Sequence, residues 1–130
     1  MKRFMSAIAI ILFSTQSFAA TLNNESATRL MTKSGCMTCH SIDSTKIGPA
    51  YKDVAARYAN PNPETLAYLK GEKPFDYLQK KVRAGSKVGV NKNWIKSKEG
   101  KTYGMMTPNP VSRISDADLK DLITFILSLK

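Results

Sequence analysis

Three side chains that bind metals or form covalent bonds stand within five positions of this 130-residue chain. The segment SGCMTCHSID, residues 34–43, holds both cysteines, Cys36 and Cys39, and the only histidine, His40. Such a group can serve three chemistries: dithiol–disulfide exchange, metal binding, or covalent attachment of a cofactor. A structural disulfide is a poor explanation, because closing so small a loop removes little chain entropy from the unfolded state.

Two of these chemistries fit the rest of the chain poorly. A thioredoxin-like C-x-x-C pair is expected within a βαβ pattern, and strand signals are weak throughout. A zinc site lacks a second Cys/His pair downstream, and the adjacent Cys39 and His40 cannot easily chelate one tetrahedral ion. The pattern C-x-x-C-H is instead typical of heme attachment, in which both thiols add across vinyl groups and the histidine faces the iron. The motif therefore predicts one heme c, bound through Cys36 and Cys39, with His40 as an iron ligand.

The second axial ligand has to come from elsewhere in the chain. Another histidine is excluded, so the candidates are a methionine, a lysine, a tyrosine or an open site. Met31 falls on the apolar face of a predicted helix, where core packing is expected, and Met37 lies inside the attachment loop, out of reach of the opposite heme face. Met105 and Met106 remain, about 65 residues downstream of the motif in an irregular stretch and just before Pro108. Both stay open on this reasoning.

The first 19 residues are expected to be an export signal rather than part of the folded domain. Two basic residues precede an apolar run, FMSAIAIILF, that is too short to span ~30 Å of hydrocarbon. Small residues at positions 17 and 19 suit the cleavage rule of secretory signals and place cleavage after Ala19. We therefore expect a signal peptide over residues 1–19 and one domain over residues 20–130, located in the periplasm without stable membrane insertion.

The expected mature region is strongly basic. Removing the two basic residues of the signal from 20 leaves 18 Lys and Arg against 10 Asp and Glu, a formal net charge of +8. Export argues against nucleic acid as a partner, which leaves anionic lipid, an acidic protein, or a generally solvated surface. Eight basic residues and one acid lie between Lys80 and Lys101, so we expect this segment to attract partners with acidic docking surfaces.

Helical patterns surround the cluster and predict an all-α domain. A first helix is predicted to begin at Asn23 or Asn24, and a second follows the Gly-Pro turn of IGPAYKDVAARY. Three more are predicted over about 64–70, 75–84 and 115–130. The last helix has the clearest signal, because Ser115 and Asp118 form a capping-box pattern ahead of apolar residues at helical spacing. From Ser86 to Ser112 no periodicity is sustained, and an irregular stretch of this length is usually functional or disordered.

These features together resemble a class I c-type cytochrome, particularly the short bacterial monoheme type. The resemblance covers residues 23–130 and rests on CMTCH, GPAYKDVAARY, the helix end VRAGS, a tryptophan, MMTPNP and the C-terminal helix. The combination of GPAYKDVAA with C-x-x-C-H is far more specific than either motif alone. It implies an all-α fold in which the N- and C-terminal helices cross, and in which helices and loops wrap around one heme. By this resemblance, the segment 60–74 is longer than its counterpart in the shortest members of the family.

The resemblance also selects between the two methionines. In this family a Met-Pro-Pro-Asn-like segment carries the axial methionine. Laying MTPN on that segment puts Met106 on the iron and Asn109 at the matching loop position. Thr107 stands where the family often has proline, so Met105 remains the alternative ligand.

Three further roles are implied by the resemblance. Pro49 matches the proline whose carbonyl accepts a hydrogen bond from the proximal imidazole and so orients it. Trp94 matches a tryptophan that hydrogen-bonds a heme propionate, and Lys81 matches a basic residue near the propionates. Each of the last two also has a plainer interpretation, as a core aromatic and as a solvated helix charge.

The function implied is that of a soluble, monomeric one-electron carrier, not an enzyme, that cycles Fe(III)/Fe(II) between respiratory redox partners. With both axial positions filled, the iron has no open site for a substrate. Two alternatives remain: a heme subunit of a larger redox complex, and a ligand-binding heme sensor with a displaceable methionine. No distal histidine or evident acid–base pair is available for peroxide chemistry.

Overall fold

The computed structural model describes residues 21–86 and 103–130. In chain order they form helices α1 (Asn24–Lys33), α2 (Tyr51–Tyr58), α3 (Pro63–Leu69), α4 (Pro74–Ala84) and α5 (Asp116–Ser128), with a 3-10 turn (Cys36–Thr38) after α1. No strand occurs in this described part of the chain, and the predicted all-α class is confirmed. The predicted signal peptide, Trp94 and most of the basic segment lie outside the described residues.

Side-chain caps fix where three of these helices begin. Asn23 accepts a hydrogen bond from the Ser26 backbone N–H at 2.9 Å, and Ser26 Oγ accepts one from the Asn23 N–H at 3.0 Å, which completes a capping box. Asn62 and Ser115 cap α3 and α5 by one bond each, which their side chains accept from the backbone N–H groups of Thr65 and Asp118. Each cap satisfies backbone donors that the first helical turn cannot pair, an effect of about 1 kcal/mol.

The two middle helices begin one residue earlier than predicted. Pro63 opens α3 and Pro74 opens α4, because a proline has no N–H to lose in the first turn and its φ already suits a helix. At its other end α3 stops at Leu69, since Lys70 adopts a left-handed conformation with φ 50°. Its predicted end at Lys70 was therefore one residue too long.

Helix α5 forms the centre of the core and contacts α1, α2 and α4. Its buried side chains are Leu119, Leu122, Ile123, Phe125 and Ile126. The core also includes Ala27 and Met31 of α1 and Tyr58 of α2, which are almost completely inaccessible to water. The expected packing of the N-terminal helix on the C-terminal helix is thus observed. No helix within residues 21–86 and 103–130 is long and apolar enough to cross a membrane.

Candidate heme site

The core opens on one side into a cavity of about 380 Å³. Its wall is mainly apolar and includes these side chains of α2, α4 and α5: Val54, Leu78, Val82, Leu119, Leu122 and Ile126. Seven of the eight predicted site residues also line it: Cys36, Cys39, His40, Pro49, Lys81, Met106 and Asn109. The eighth, Trp94, lies outside the described residues. A large apolar cavity with a few convergent polar groups is the usual form of a cofactor site.

A tight turn brings the C-x-x-C-H side chains onto the cavity wall. Gly35 takes a positive φ of 77° and starts the turn, and the N–H groups of Cys39 and His40 both donate to the Cys36 carbonyl, at 3.2 and 3.0 Å. Both cysteines are unpaired and half-buried. Burial raises the pKa of the Cys36 thiol, and a hydrogen bond shared with the Tyr51 hydroxyl partly opposes that rise. The turn therefore presents two sulfurs and one imidazole to one space.

The imidazole of His40 is held on several sides. Its Nδ1–H donates to the Pro49 carbonyl at 2.7 Å, and because a carbonyl only accepts, Nε2 keeps a free lone pair. The Tyr51 ring stacks on the imidazole at 5.0 Å between centroids and 19° between planes. A Cβ added at Gly48 would lie 2.6 Å from Cε1, so the ring packs directly on the glycine backbone. Burial lowers the pKa of His40, which keeps the imidazole neutral and able to bind a metal at neutral pH.

The segment that carries the two methionines reaches the same cavity from the other end of the chain. The Met106 N–H donates to Ser86 Oγ, and the Ser86 N–H donates to the Met106 carbonyl, both at 2.8 Å. Three residues on, the Asn109 N–H donates to the Val82 carbonyl of α4 at 3.1 Å. Met106 is half-buried, whereas Met105 is 57% exposed, although both line the cavity.

The remaining predicted residues lie at the α4 side of the cavity. Lys81 is half-buried in the wall, and burial lowers the pKa of its ammonium group. The Asn109 side-chain amide donates to the carbonyls of Thr107 at 2.9 Å and Val82 at 3.3 Å, so it stabilises the turn that follows Met106. Asn109 therefore stabilises the loop through these two hydrogen bonds, independently of any contact it makes with a bound heme.

Three residues that shape the site were not assigned a role from the sequence. Gly48 and Tyr51, which pack on the His40 ring, lie inside the motif GPAYKDVAARY, so a signal for them was present. Ser86 ends the motif VRAGS, but nothing in that motif indicates its contact with Met106, which is 20 residues away across an irregular stretch.

The donor set fits heme c rather than a bare metal ion. Across the two described ranges, no group of three or more His, Cys, Asp or Glu side chains could hold a metal ion. Two thiols, a neutral imidazole with a free Nε2, and a thioether instead border one apolar cavity. These are the groups that tether and ligate a heme, and apolar walls are what its ring requires.

An all-α fold around such a cavity, with a C-x-x-C-H turn at its edge, defines the class I c-type cytochromes. The chain belongs to the cytochrome c family, since residues 25–130 match the family model described as Cytochrome c. It is 39% identical over 100 residues to cytochrome c-551 of Allochromatium vinosum, covering 77% of this chain and 82% of that protein. It is 34% identical over 131 residues to cytochrome c-552 of Hydrogenobacter thermophilus, covering both chains completely.

A solved structure shows the same fold. The crystal structure of wild-type Nitrosomonas europaea cytochrome c552 superposes with a TM-score of 0.54 at 33% identity, covering 79% of this chain and 99% of that one. Membership of the family identifies the cofactor as covalently bound heme c and the protein as a monoheme electron carrier.

Proposed function

We propose that this protein is a periplasmic one-electron carrier whose heme c is tethered by Cys36 and Cys39 and ligated by His40 and Met106. The observation that carries the proposal is the meeting of two distant segments at one cavity: the C-x-x-C-H turn and the loop around Met106. When bound, the heme supplies the one-electron Fe(III)/Fe(II) couple.

The side chains around the cavity would set how readily that couple accepts an electron. A methionine thioether favours Fe(II), and apolar walls disfavour the extra charge of Fe(III), so both raise the reduction potential. The Pro49 carbonyl acts in the opposite direction, because a hydrogen bond from Nδ1–H increases the electron donation of the His40 ring. We expect a potential clearly above that of a bis-histidine heme with the same exposure.

The proposed ligand set also implies a carrier and not an enzyme or a gas sensor. His40 and Met106 would both hold the heme iron, which would leave no coordination site for a substrate. Stopped-flow mixing of the Fe(II) protein with carbon monoxide tests this: we expect negligible binding on the timescale of seconds. Rapid binding would favour a ligand-binding heme sensor with a displaceable methionine.

Export and attachment can be tested by one mass measurement. We propose that residues 1–19 direct the chain to the periplasm and are removed there. Intact mass spectrometry of protein purified from a bacterial periplasm should give the mass of residues 20–130 plus one heme, retained after unfolding. A C36A/C39A variant should carry no covalent heme. A wild-type chain that retains residues 1–19, or that releases its heme on unfolding, would contradict the proposal.

The proposed partners are redox proteins with acidic docking surfaces. In the described part of the basic segment, Lys80 is ion-paired with Glu72, and Arg83 with Asp116 at 2.5 Å. The third described cation, Lys81, is half-buried in the cavity wall, so the attraction depends mainly on the net charge and on five further cations outside the described residues. At the cavity edge, Ile47 and Met105 are 53% and 57% exposed, which offers a partner an apolar contact beside the heme. Small apolar contacts of this kind suit transient electron-transfer complexes.

A further inference from the structure

We propose that Ser86 is the positioning residue that selects Met106, and not its neighbour Met105, as the axial ligand. The inference rests on the proposed ligation by His40 and Met106. The two methionines are adjacent on an irregular segment, so shifting that segment by one residue would put Met105 in the place of Met106. The contacts around Ser86 prevent that shift.

Ser86 forms hydrogen bonds with both backbone groups of Met106, the N–H and the carbonyl. Its hydroxyl oxygen accepts from the Met106 N–H at 2.8 Å, and its own N–H donates to the Met106 carbonyl at 2.8 Å. The first bond depends on the serine side chain, whereas the second depends only on the backbone. Ser86 also lines the cavity, so this clamp lies beside the site.

Two further hydrogen bonds fix the same register from either side. The Gly104 N–H donates to the Ile47 carbonyl at 2.8 Å, and the Asn109 N–H donates to the Val82 carbonyl at 3.1 Å. A one-residue slip would break both, together with the Ser86 clamp. The exposures agree with this register, since Met105 is 57% exposed and Met106 is half-buried.

The end of α4 is shaped to let the loop approach this closely. Gly85 has φ 69°, and a Cβ built on it would lie 2.5 Å from the Met106 carbonyl oxygen and 2.7 Å from the Pro108 nitrogen. Only glycine avoids both the left-handed strain and this contact. Gly85 therefore creates the space in which the clamp forms, and Ser86 supplies the bonds.

Removing the Ser86 hydroxyl should weaken the register without destroying the fold. In Ser86→Ala the backbone bond to the Met106 carbonyl remains, while the Met106 N–H loses its acceptor. Loss of one such bond should shift the balance between registers by roughly fivefold to tenfold toward ligation by Met105. Ser86→Thr keeps the hydroxyl and should keep the wild-type register.

The experiment compares single and double variants of the Fe(III) holoprotein by the weak red absorption band that reports a sulfur–iron bond. We expect the band to persist in M105A, to vanish in M106A, and to return in part in S86A/M106A, where Met105 becomes free to slip into place. S86T/M106A is the matched control and should show no band. Proton NMR of the Fe(II) protein should show one ligated methionine methyl group in wild type and a second, minor one in S86A.

The inference is overturned if S86A/M106A has no more band than M106A and S86A shows a single methyl resonance. It is also overturned if M106A alone regains the band as fully as the double variant. A different failure would affect the proposed function: loss of the band in M105A with retention in M106A would mean that the ligand itself is Met105.

Discussion

At the residue scale, the ring of His40 occupies the space that a side chain at position 48 would need. Because residue 48 is a glycine and has no Cβ, the imidazole can pack directly against its backbone. Pro49 then accepts from Nδ1–H, and Tyr51 covers one face of the ring. Three residues of one motif, Gly48, Pro49 and Tyr51, thus hold the imidazole in place.

We predict that Gly48→Ala impairs the proximal ligand. The added Cβ would lie 2.6 Å from Cε1, so the ring must move and the 2.7 Å bond to Pro49 must lengthen or break. Holoprotein yield in the periplasm, measured by heme absorbance per mole of protein, should fall several-fold, and the midpoint of thermal unfolding should drop.

Gly71→Ala is the matched control for this prediction. Gly71 has a positive φ of 85°, unlike Gly48, and no atom lies within 4 Å of its added Cβ. It should cost about 1 kcal/mol of backbone strain and leave heme content unchanged. Wild-type heme content and stability in Gly48→Ala would contradict the packing described for His40.

The residue scale also shows where sequence reasoning reaches its limit. The spacing of the cysteines and the histidine is enough to predict their role. The resemblance to class I cytochromes c indicated Pro49 and Asn109, which the structure places at the cavity. Ser86 belongs to the motif VRAGS, but that motif did not indicate its role, because the role arises from a hydrogen bond across 20 residues. Such a contact exists only after the chain has folded.

At the element scale, α5 links the stability of the core to the site. Its buried face packs on α1, α2 and α4, and several of the same residues line the cavity. The helix was predictable because its caps and its 3.6-residue apolar period are local features. The starts of α3 and α4 were missed by one residue because a proline can open a helix, and the end of α3 was missed because Lys70 is left-handed. The course of residues 103–112 was not predictable, since it is fixed by bonds to α4 and to Ile47.

We predict that Leu122→Ala destabilises the holoprotein by about 2–5 kcal/mol, because it removes a large side chain that is only 3% exposed. Guanidinium unfolding followed by far-ultraviolet circular dichroism measures the effect. Lys120→Ala, at an exposed position of the same helix, is the control and should change stability by less than about 0.5 kcal/mol. Equal effects of the two changes would mean that α5 does not pack as described.

At the scale of the whole molecule, positive charge should govern encounters with other redox species. The region expected after export carries a net charge of +8, and charge of one sign steers association in a salt-dependent way. We predict that oxidation of the Fe(II) protein by ferricyanide, an anion, slows as ionic strength rises. Oxidation by a cationic cobalt(III) complex should accelerate over the same range. If the stopped-flow rate constants with both reagents are independent of ionic strength, the charge has no steering role.

We propose that two segments 66 residues apart, at His40 and Met106, would hold one heme iron at this cavity. The most direct test is the Fe(III) absorption spectrum of the Met106→Ala holoprotein beside that of wild type. We expect a red sulfur-to-iron band in wild type and its complete loss in Met106→Ala, with heme still covalently attached. A wild-type protein without the band, or a Met106→Ala protein that keeps it undiminished, would contradict the account.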